Sequence, residues 1–195
     1  MKISDLIRAL PPVHVMRLSW SRWRQRAAIY RKYPGLDMPL NCQWIYDDLS
    51  AIQLGANVSI GAWTEFMVYK KHTSSRVGGK LVVGDRSWIG TQSNIRAVGG
   101  VIEIGRNCMI AQNVCLIASN HLIKPNAIYM DLSWDETKTG ISIGDNVWIG
   151  AGSILLPGSS VGVNSIVAAG SVVTKNIPAN EIWAGVPARL IRKIT

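Results

Sequence analysis

A repeat with a period of six residues is the feature that most restricts how this chain can fold. An aliphatic side chain recurs at every sixth position through six consecutive units, at Ile143, Ile149, Leu155, Val161, Val167 and Val173. The following residue is small in four of the units, at Gly144, Gly150, Gly162 and Ala168. Six residues are too many for the alternation of one strand, and the period does not fit a 3.6-residue helix. The pattern predicts a solenoid in which each unit supplies one short strand.

Three flat faces would complete one turn of that solenoid, with each aliphatic side chain pointing inward and the small residues allowing tight corners. One coil cannot bury its own side chains, so stacked coils must form the core. The pattern recurs upstream in shifted frames and slips at 65–82, 96–103 and 117–142, where we expect loops. Residues 51–180 thus resemble a mainly β fold, the left-handed parallel β-helix of the hexapeptide-repeat proteins, which is a triangular prism.

The segments outside the repeats differ in composition. Residues 1–50 predict a basic amphipathic helical extension, with apolar residues at helical spacing over 3–10 before Pro11-Pro12 stops that helix. A second helix would carry an aromatic face with Trp20 and Trp23, and arginines elsewhere. Residues 181–195 follow the last repeat as a short basic tail.

The positive charge is concentrated at the N-terminus. Residues 1–33 contain eight basic residues and one acidic residue, which accounts for +7 of the net charge of +9. A basic amphipathic helix with tryptophans is typical of a membrane-surface segment. The alternative is a helix whose tryptophan face packs on the prism or on a neighbouring subunit, with the arginines solvated. Nucleic acid is not expected as a partner, because no recognition motif accompanies the charge.

Composition also excludes several classes of protein. No apolar run approaches the roughly 20 residues that span a bilayer, and the N-terminus lacks the apolar stretch of a signal peptide. We therefore expect a cytoplasmic protein, whose basic segment would suit the inner face of the cell membrane. Cys42, Cys108 and Cys115 have no CxxC spacing, so reduced thiols are expected rather than disulfides or a metal site.

The most informative break in the repeat follows residue 116. The stretch Ala118-Ser119-Asn120-His121 precedes a long loop, 122–140, that does not repeat. An imidazole has a pKa near neutrality and can accept a proton from an attacking hydroxyl or amine. His121 is therefore a candidate general base, and the alternative is a polar corner histidine without a catalytic role.

Three stretches carry a resemblance to a known family: SNHLI at 119–123, ISIGDNVWIGAGSILLPGSSVG at 141–162 and IVAAGSVVTKNIPANEIWAGVPARLIRKI at 166–194. They resemble the sugar O-acetyltransferases of the hexapeptide-repeat class, which include galactoside and maltose acetyltransferases and transferases that decorate bacterial surface polysaccharides. The resemblance implies acetyl-CoA as co-substrate, no metal, and His121 as the base that deprotonates the acceptor hydroxyl. It also implies a homotrimer with active sites between adjacent prisms.

The same resemblance assigns further site residues. For the cofactor it implies a backbone N–H beside the thioester, a position along the pantetheine arm and four contacts at the nucleotide end: Ala151, Ala169, Thr174, Lys175, Arg189 and Arg192. Arginine suits the last two positions because it binds phosphate in a bidentate manner. For the acceptor it implies Trp148 at the cleft wall and Asn94. The basic helical segment replaces the small N-terminal domain of the galactoside enzymes, so the acceptor stays open.

The function that these features favour is acetyl-CoA-dependent transfer of acetyl to a sugar hydroxyl, in biosynthesis of a surface polysaccharide such as O-antigen, capsule or exopolysaccharide. One alternative is N-acetylation of a nucleotide-linked amino sugar, and a longer acyl donor also stays open. Another is a non-enzymatic β-helix scaffold. A zinc carbonic anhydrase on the same prism would need three histidine ligands. The chain has three histidines in all, and His14 lies outside the repeats.

Overall fold

A computed structural model describes residues 13–195, so the helix predicted over 3–10 lies outside the described residues. The helix α1 (Val13–Lys32) is followed by eighteen short strands and by two 3-10 turns at Leu49–Ala51 and Tyr129–Asp131 within that range.

The strands form three sheets, and each sheet receives every third strand along most of the chain. The first sheet contains β1 (Gln43–Tyr46), β4 (Glu65–Tyr69), β7 (Asn94–Val98), β10 (Cys115–Ile117), β13 (Ile154–Leu155) and β16 (Val172–Val173). The second contains β2 (Ile52–Leu54), β5 (Lys80–Val83), β8 (Val101–Ile104), β11 (Ile141–Ile143) and β14 (Ser159–Val161). The third contains β3 (Ser59–Ile60), β6 (Trp88–Ile89), β9 (Met109–Ile110), β12 (Trp148–Ile149), β15 (Ile166–Val167), β17 (Glu181–Gly185) and β18 (Ala188–Lys193).

Parallel pairing between successive coils confirms the predicted left-handed β-helix. In the first sheet the inward positions align in register and are buried, at Phe66, Ile95, Leu116, Leu155 and Val173. Burying one such aliphatic or aromatic side chain contributes about 1.5–3 kcal/mol. The six-residue period therefore places one large apolar side chain per face per coil inside the prism.

The corners combine two requirements. At one edge the chain takes a left-handed φ at Asn146, Asn164 and Asn180, which asparagine tolerates well. Their side chains form a ladder, with the Asn146 amide donating to Asn164 Oδ1 at 2.8 Å and Asn164 to Asn180 Oδ1 at 3.2 Å. The small residue after the aliphatic position has a different role, which is to let the backbones of neighbouring coils approach closely. A Cβ on Gly150 would stand 2.4 Å from the amide nitrogen of Ala169 in the next coil.

Two of the three expected frame slips produce loops. The chain leaves the coil between β4 and β5 and again between β10 and β11. The expectation of a loop within 96–103 is wrong, because β7 and β8 are joined directly by Gly99 and Gly100, and the glycine pair makes the tight corner. The prism also starts before residue 51, the predicted boundary, since β1 pairs in parallel with β4.

Helix α1 packs against β1 and covers the first coil. Ile29 is fully buried there. Side chains of the helix and of the residue that follows it donate hydrogen bonds to backbone carbonyls of the first coil. Gln25 Nε2 donates to Tyr46 O at 2.7 Å, and Tyr33 Oη donates to Ile52 O at 2.5 Å. A solenoid end needs such a cap because no further coil pairs with it.

The tryptophans of α1 are largely exposed. Trp20 and Trp23 stack on each other with ring centroids 5.0 Å apart, and they are 61% and 51% exposed. One interpretation of the sequence expects the tryptophan face to pack on the prism or on a neighbouring subunit. The exposure of Trp20 and Trp23 shows that their rings are not buried on the prism of their own chain. No helix among residues 13–195 is long and apolar enough to cross a membrane.

The predicted tail is a hairpin. Strand β18 returns antiparallel to β17 and ends the third sheet. Inside the last coil, Trp183 Nε1 donates to Glu181 Oε2 at 2.7 Å, and both residues are buried. The hairpin therefore covers the C-terminal end of the third sheet.

Candidate active site

Two loops leave the prism at the same edge and bind to each other. The backbone N–H of Trp134 donates to Ser74 O at 2.9 Å. The Glu136 carboxylate accepts from the Arg76 amide at 2.6 Å and from Ser75 Oγ at 3.1 Å, and its other oxygen lies 3.3 Å from the Arg76 guanidinium. The bond from the Arg76 amide is the main cause that lowers the pKa of Glu136. The loop between β4 and β5 thus holds the loop between β10 and β11.

His121 lies at the root of the longer loop, as the sequence predicted. It forms an isolated antiparallel bridge with Trp134. Bonds on both sides fix that bridge, from the Leu122 amide to Ser133 O at 3.0 Å and from the Asp135 amide to Asn120 O at 2.9 Å. The imidazole itself is exposed and meets the Trp134 ring edge-on, with centroids 6.1 Å apart and planes at 72°. An imidazole on so constrained a backbone keeps its position without losing access to a ligand.

The imidazole borders a pocket of about 220 Å³. Its floor is the outward face of the first sheet, and its walls are the two loops. The lining residues are Met67, Tyr69, His72, Arg96, Val98, Ile117, Ser119, Asn120, His121 and Trp134.

Sequence reasoning missed the aromatic wall of this pocket. His72 stacks on Trp134 with centroids 4.3 Å apart and planes at 16°, and Tyr69 lies beyond His72 at 6.3 Å. The backbone amide of Ser74 donates to His72 Nδ1 at 3.2 Å. Residues 72 and 134 belong to different loops, so no local spacing could have linked them.

The predicted thioester and pantetheine positions lie at a different edge. Ala151 and Ala169 follow β12 and β15, at the corner that leads from the third sheet into the first. Neither backbone N–H donates a hydrogen bond to another residue of the described range. The corner beside them is open, since a Cβ on Gly152 or Gly170 would meet nothing within 4 Å. Free amides and small residues fit an extended acyl thioester lying along this edge.

His121 and Ala151 are not brought together within one chain. Ala151 precedes β13 at one edge of the first sheet, whereas His121 follows β10 and leaves from the opposite edge. Asn94, at the start of β7, donates to Glu65 Oε1 at 3.2 Å and is not part of the pocket lining. Trp148 is 46% exposed on the outer face of the third sheet.

The remaining cofactor candidates cluster toward the C-terminal end. Thr174 and Lys175 follow β16 on the same edge as His121, and both are exposed. The Lys175 ammonium lies 5.2 Å from the centroid of the Trp183 ring, a cation–π distance. Arg189 and Arg192 are exposed on β18, where Arg192 pairs with Ile182 of β17.

The cysteines form no site. Cys42 and Cys108 are buried, Cys115 is partly exposed, and all three are free thiols. Burial is the main cause that raises the pKa of Cys42 and of Cys108. Across residues 13–195, no three histidine, cysteine, aspartate or glutamate side chains group closely enough to hold a metal ion.

Comparison with known proteins identifies the family. The family model described as bacterial transferase hexapeptide (six repeats) matches residues 140–175. A Saccharomyces cerevisiae protein named "Putative acetyltransferase YJL218W" is 35% identical over 136 residues, which cover 70% of this chain and 67% of that protein. The chain belongs to the hexapeptide-repeat acetyltransferase family.

Other family members agree with that membership. Galactoside O-acetyltransferase of Escherichia coli is 35% identical over 143 residues, covering 73% of this chain and 66% of that protein. The E. coli protein named "Putative colanic acid biosynthesis acetyltransferase WcaF" is 32% identical over 114 residues, covering 58% and 59%. A solved maltose O-acetyltransferase from Clostridium difficile superimposes with a TM-score of 0.56 at 28% identity, covering 87% of this chain and 75% of that one. The matched part therefore spans about two thirds or less of the sequence relatives' own length.

Proposed function

We propose that the protein transfers an acetyl group from acetyl-CoA to a sugar hydroxyl, with His121 as the general base. The observation that carries this proposal is the exposed imidazole of His121, fixed by its bridge to Trp134 at the mouth of a pocket. Membership of an acetyltransferase family supplies the reaction type, and the names of the galactoside and maltose relatives support a sugar acceptor.

In the proposed mechanism, His121 accepts the proton of the acceptor hydroxyl while that oxygen attacks the thioester carbonyl. The C–O bond forms, the C–S bond breaks, and the proton passes from the imidazolium to the departing thiolate. The free N–H of Ala151 would stabilise the negative charge on the carbonyl oxygen. Ala169 would contact the pantetheine arm, and the exposed cations Lys175, Arg189 and Arg192 with Thr174 would bind the nucleotide end.

The separation of His121 from Ala151 supports a site shared between subunits. The two residues stand at opposite edges of the first sheet, so one chain does not bring the base to the thioester position. A homotrimer would place the Ala151 edge of one prism against the His121 edge of the next. Trp148 would then line the cleft, and Asn94 would contact the acceptor from the Ala151 side of the sheet.

Surface polysaccharide biosynthesis is the setting that we propose for this reaction, because the relative of 32% identity is named for colanic acid biosynthesis. The exposed Trp20–Trp23 pair, with the arginines of α1, would hold the protein at the inner face of the cell membrane, where lipid-linked glycans are assembled.

The acceptor atom distinguishes the main proposal from N-acetylation of an amino sugar. The purified protein is supplied with acetyl-CoA and with matched sugars that differ only in a hydroxyl or an amine, and release of the free thiol is followed. Faster transfer to the hydroxyl sugar, giving a product that alkali cleaves as an ester, is expected. Preference for the amine, with an alkali-stable amide product, would support the alternative. Absence of coenzyme A binding would favour a non-enzymatic scaffold.

A further inference from the structure

The charges around the His121 pocket suggest which class of acceptor fits it. Arg96 is the one lining residue whose side chain carries a permanent positive charge, and none of the lining residues is acidic. Arg96 projects from β7, where its register neighbours are Met67 and Ile117, both apolar. Its guanidinium reaches only the sulfur of Met67, at 3.3 Å, and it forms no ion pair with a carboxylate of residues 13–195.

Three carboxylates on the same strands and loops already have partners of their own. Glu65, one row away on the neighbouring strand, accepts from the Asn94 side chain. Asp47 accepts from the backbone amides of Lys70 and Lys71 at 2.8 and 3.0 Å. Glu136 pairs with Arg76 on the far side of the loops. Arg96 is thus an exposed guanidinium in the pocket, and no side chain of the described residues 13–195 forms an ion pair with it.

We propose that the acceptor is an anionic sugar. Arg96 binds the carboxylate or phosphate of this sugar while a hydroxyl of the same sugar faces His121. This proposal rests on the proposed function, since it names the substrate class of the same pocket. A guanidinium offers two parallel N–H groups that match a carboxylate or phosphate, and such charge-assisted pairs are stronger than neutral hydrogen bonds. The aromatic wall of Trp134 and His72 provides an apolar surface against which a sugar ring can lie.

Arg96 would act as a specificity residue and not as a base, so its removal should change which sugar binds. The glutamine variant keeps a polar side chain and removes the charge. The matched control is Lys124→Gln, which removes one exposed positive charge from the loop outside the pocket lining. Because Arg96 is exposed on an outward row of the sheet, the variant is expected to fold, and its melting temperature checks that expectation.

The test is a binding titration followed by saturation-transfer NMR in the absence of acetyl-CoA. The probes are methyl glucuronide, glucose 1-phosphate and the neutral methyl glucoside. Wild-type protein should bind at least one anionic sugar about tenfold more tightly than the neutral one. Arg96→Gln should abolish this preference, whereas Lys124→Gln should retain it. The two anionic probes distinguish a uronate-type acceptor from a sugar phosphate.

Three results would overturn the proposal: equal binding of the neutral and anionic sugars, no binding of either anionic sugar, or an unchanged preference in Arg96→Gln. A loss of coenzyme A affinity in Arg96→Gln, with sugar binding unaltered, would instead assign the guanidinium to the nucleotide. Because binding is measured without acetyl-CoA, a protein that prefers anionic sugars yet transfers no acetyl would contradict the proposed function alone.

Discussion

The indole ring of Trp134 lies directly against the backbone of Gly99, where a Cβ would stand 2.4 Å from one ring carbon. Gly99 also has a φ of +66°, a conformation that costs other residues about 1–2 kcal/mol. The glycine pair that joins β7 to β8 therefore creates the space in which the pocket wall sits. Trp134 in turn touches both His72 and His121.

Replacing Gly99 by alanine should displace Trp134 and, through the bridge, the His121 imidazole. We expect acetyl transfer to fall by up to about 100-fold, because catalysis is that sensitive to misplacement of about 1 Å. Gly158→Ala is the matched control, since Gly158 has a φ of +77° but its Cβ would meet only the flexible side chain and Cα of Lys138. Both variants share the cost of a positive φ, and Gly99→Ala should lose more stability in thermal unfolding because its Cβ also collides with the indole ring. Equal activity of the two variants would contradict the role assigned to Trp134.

The hydrogen bonds that the Glu136 carboxylate accepts, above all from the Arg76 amide, predict acid sensitivity of the loops. The pKa of Glu136 is lowered in the folded protein. Its carboxylate therefore contributes fully to the stability of the folded loops above the ordinary glutamate pKa of about 4.3. This contribution is lost as the pH falls through the lowered pKa of the folded protein. Glu136→Gln should therefore increase amide hydrogen exchange in residues 72–76 and 133–137 at neutral pH, with little change in the prism. Wild-type protein at low pH should show the same local increase. Unchanged exchange in the glutamine variant would contradict the assignment.

The cysteines should differ in reactivity according to burial. Cys42 and Cys108 are buried and their pKa values are raised, so less reactive thiolate is present at pH 8. Titration with a thiol-specific disulfide reagent should label Cys115 first, and the other two only on unfolding. The variant Cys115→Ser should lose the early phase. Early labelling of two or more thiols in the native protein would contradict the burial seen here.

The exposed tryptophans of α1 should mediate binding to anionic lipid. Vesicles that contain phosphatidylserine should sediment the protein more strongly than neutral vesicles, with an effect that salt weakens. The double variant Trp20→Ala and Trp23→Ala should reduce this binding. Tyr129→Ala is the control, because Tyr129 is also exposed, at 57%, but lies far along the chain from α1. If the double variant instead changes only the oligomeric state, the tryptophans face a neighbouring subunit.

The sequence predicts the prism well because its cause is local and repeated. The six-residue period itself aligns Leu155 with Val173, which is its register neighbour in the next coil. The pocket wall arises differently, since Trp134 meets His72 only because two loops of unrelated length leave the same edge. Strand β1 cannot be predicted from the six-residue period, because residues 43–46 lack the repeat. Its Trp44 is nevertheless buried and stacks on Phe66 with ring centroids 4.0 Å apart.

The buried face of α1 was equally hard to predict. The spacing of the aromatic side chains favours Trp20 and Trp23 as the buried face of the helix. In the structure, Ile29 is the fully buried residue by which the helix packs on the first coil. An amphipathic pattern identifies a helix and not the surface it contacts, because that choice depends on residues distant in the chain. The position of His121 at the root of the loop is different, because the point where the repeat breaks marks it in the sequence.

The most direct test of the central claim compares acetyl transfer by wild-type protein and by His121→Gln at saturating acetyl-CoA. Coenzyme A binding is measured by calorimetry on both proteins, and folding by thermal unfolding. We predict that the variant keeps its fold and its affinity for coenzyme A but loses about 10²–10⁴-fold in kcat, the range that a general base contributes. A folded variant that transfers acetyl at a rate close to that of the wild type would contradict the assignment of His121 as the base.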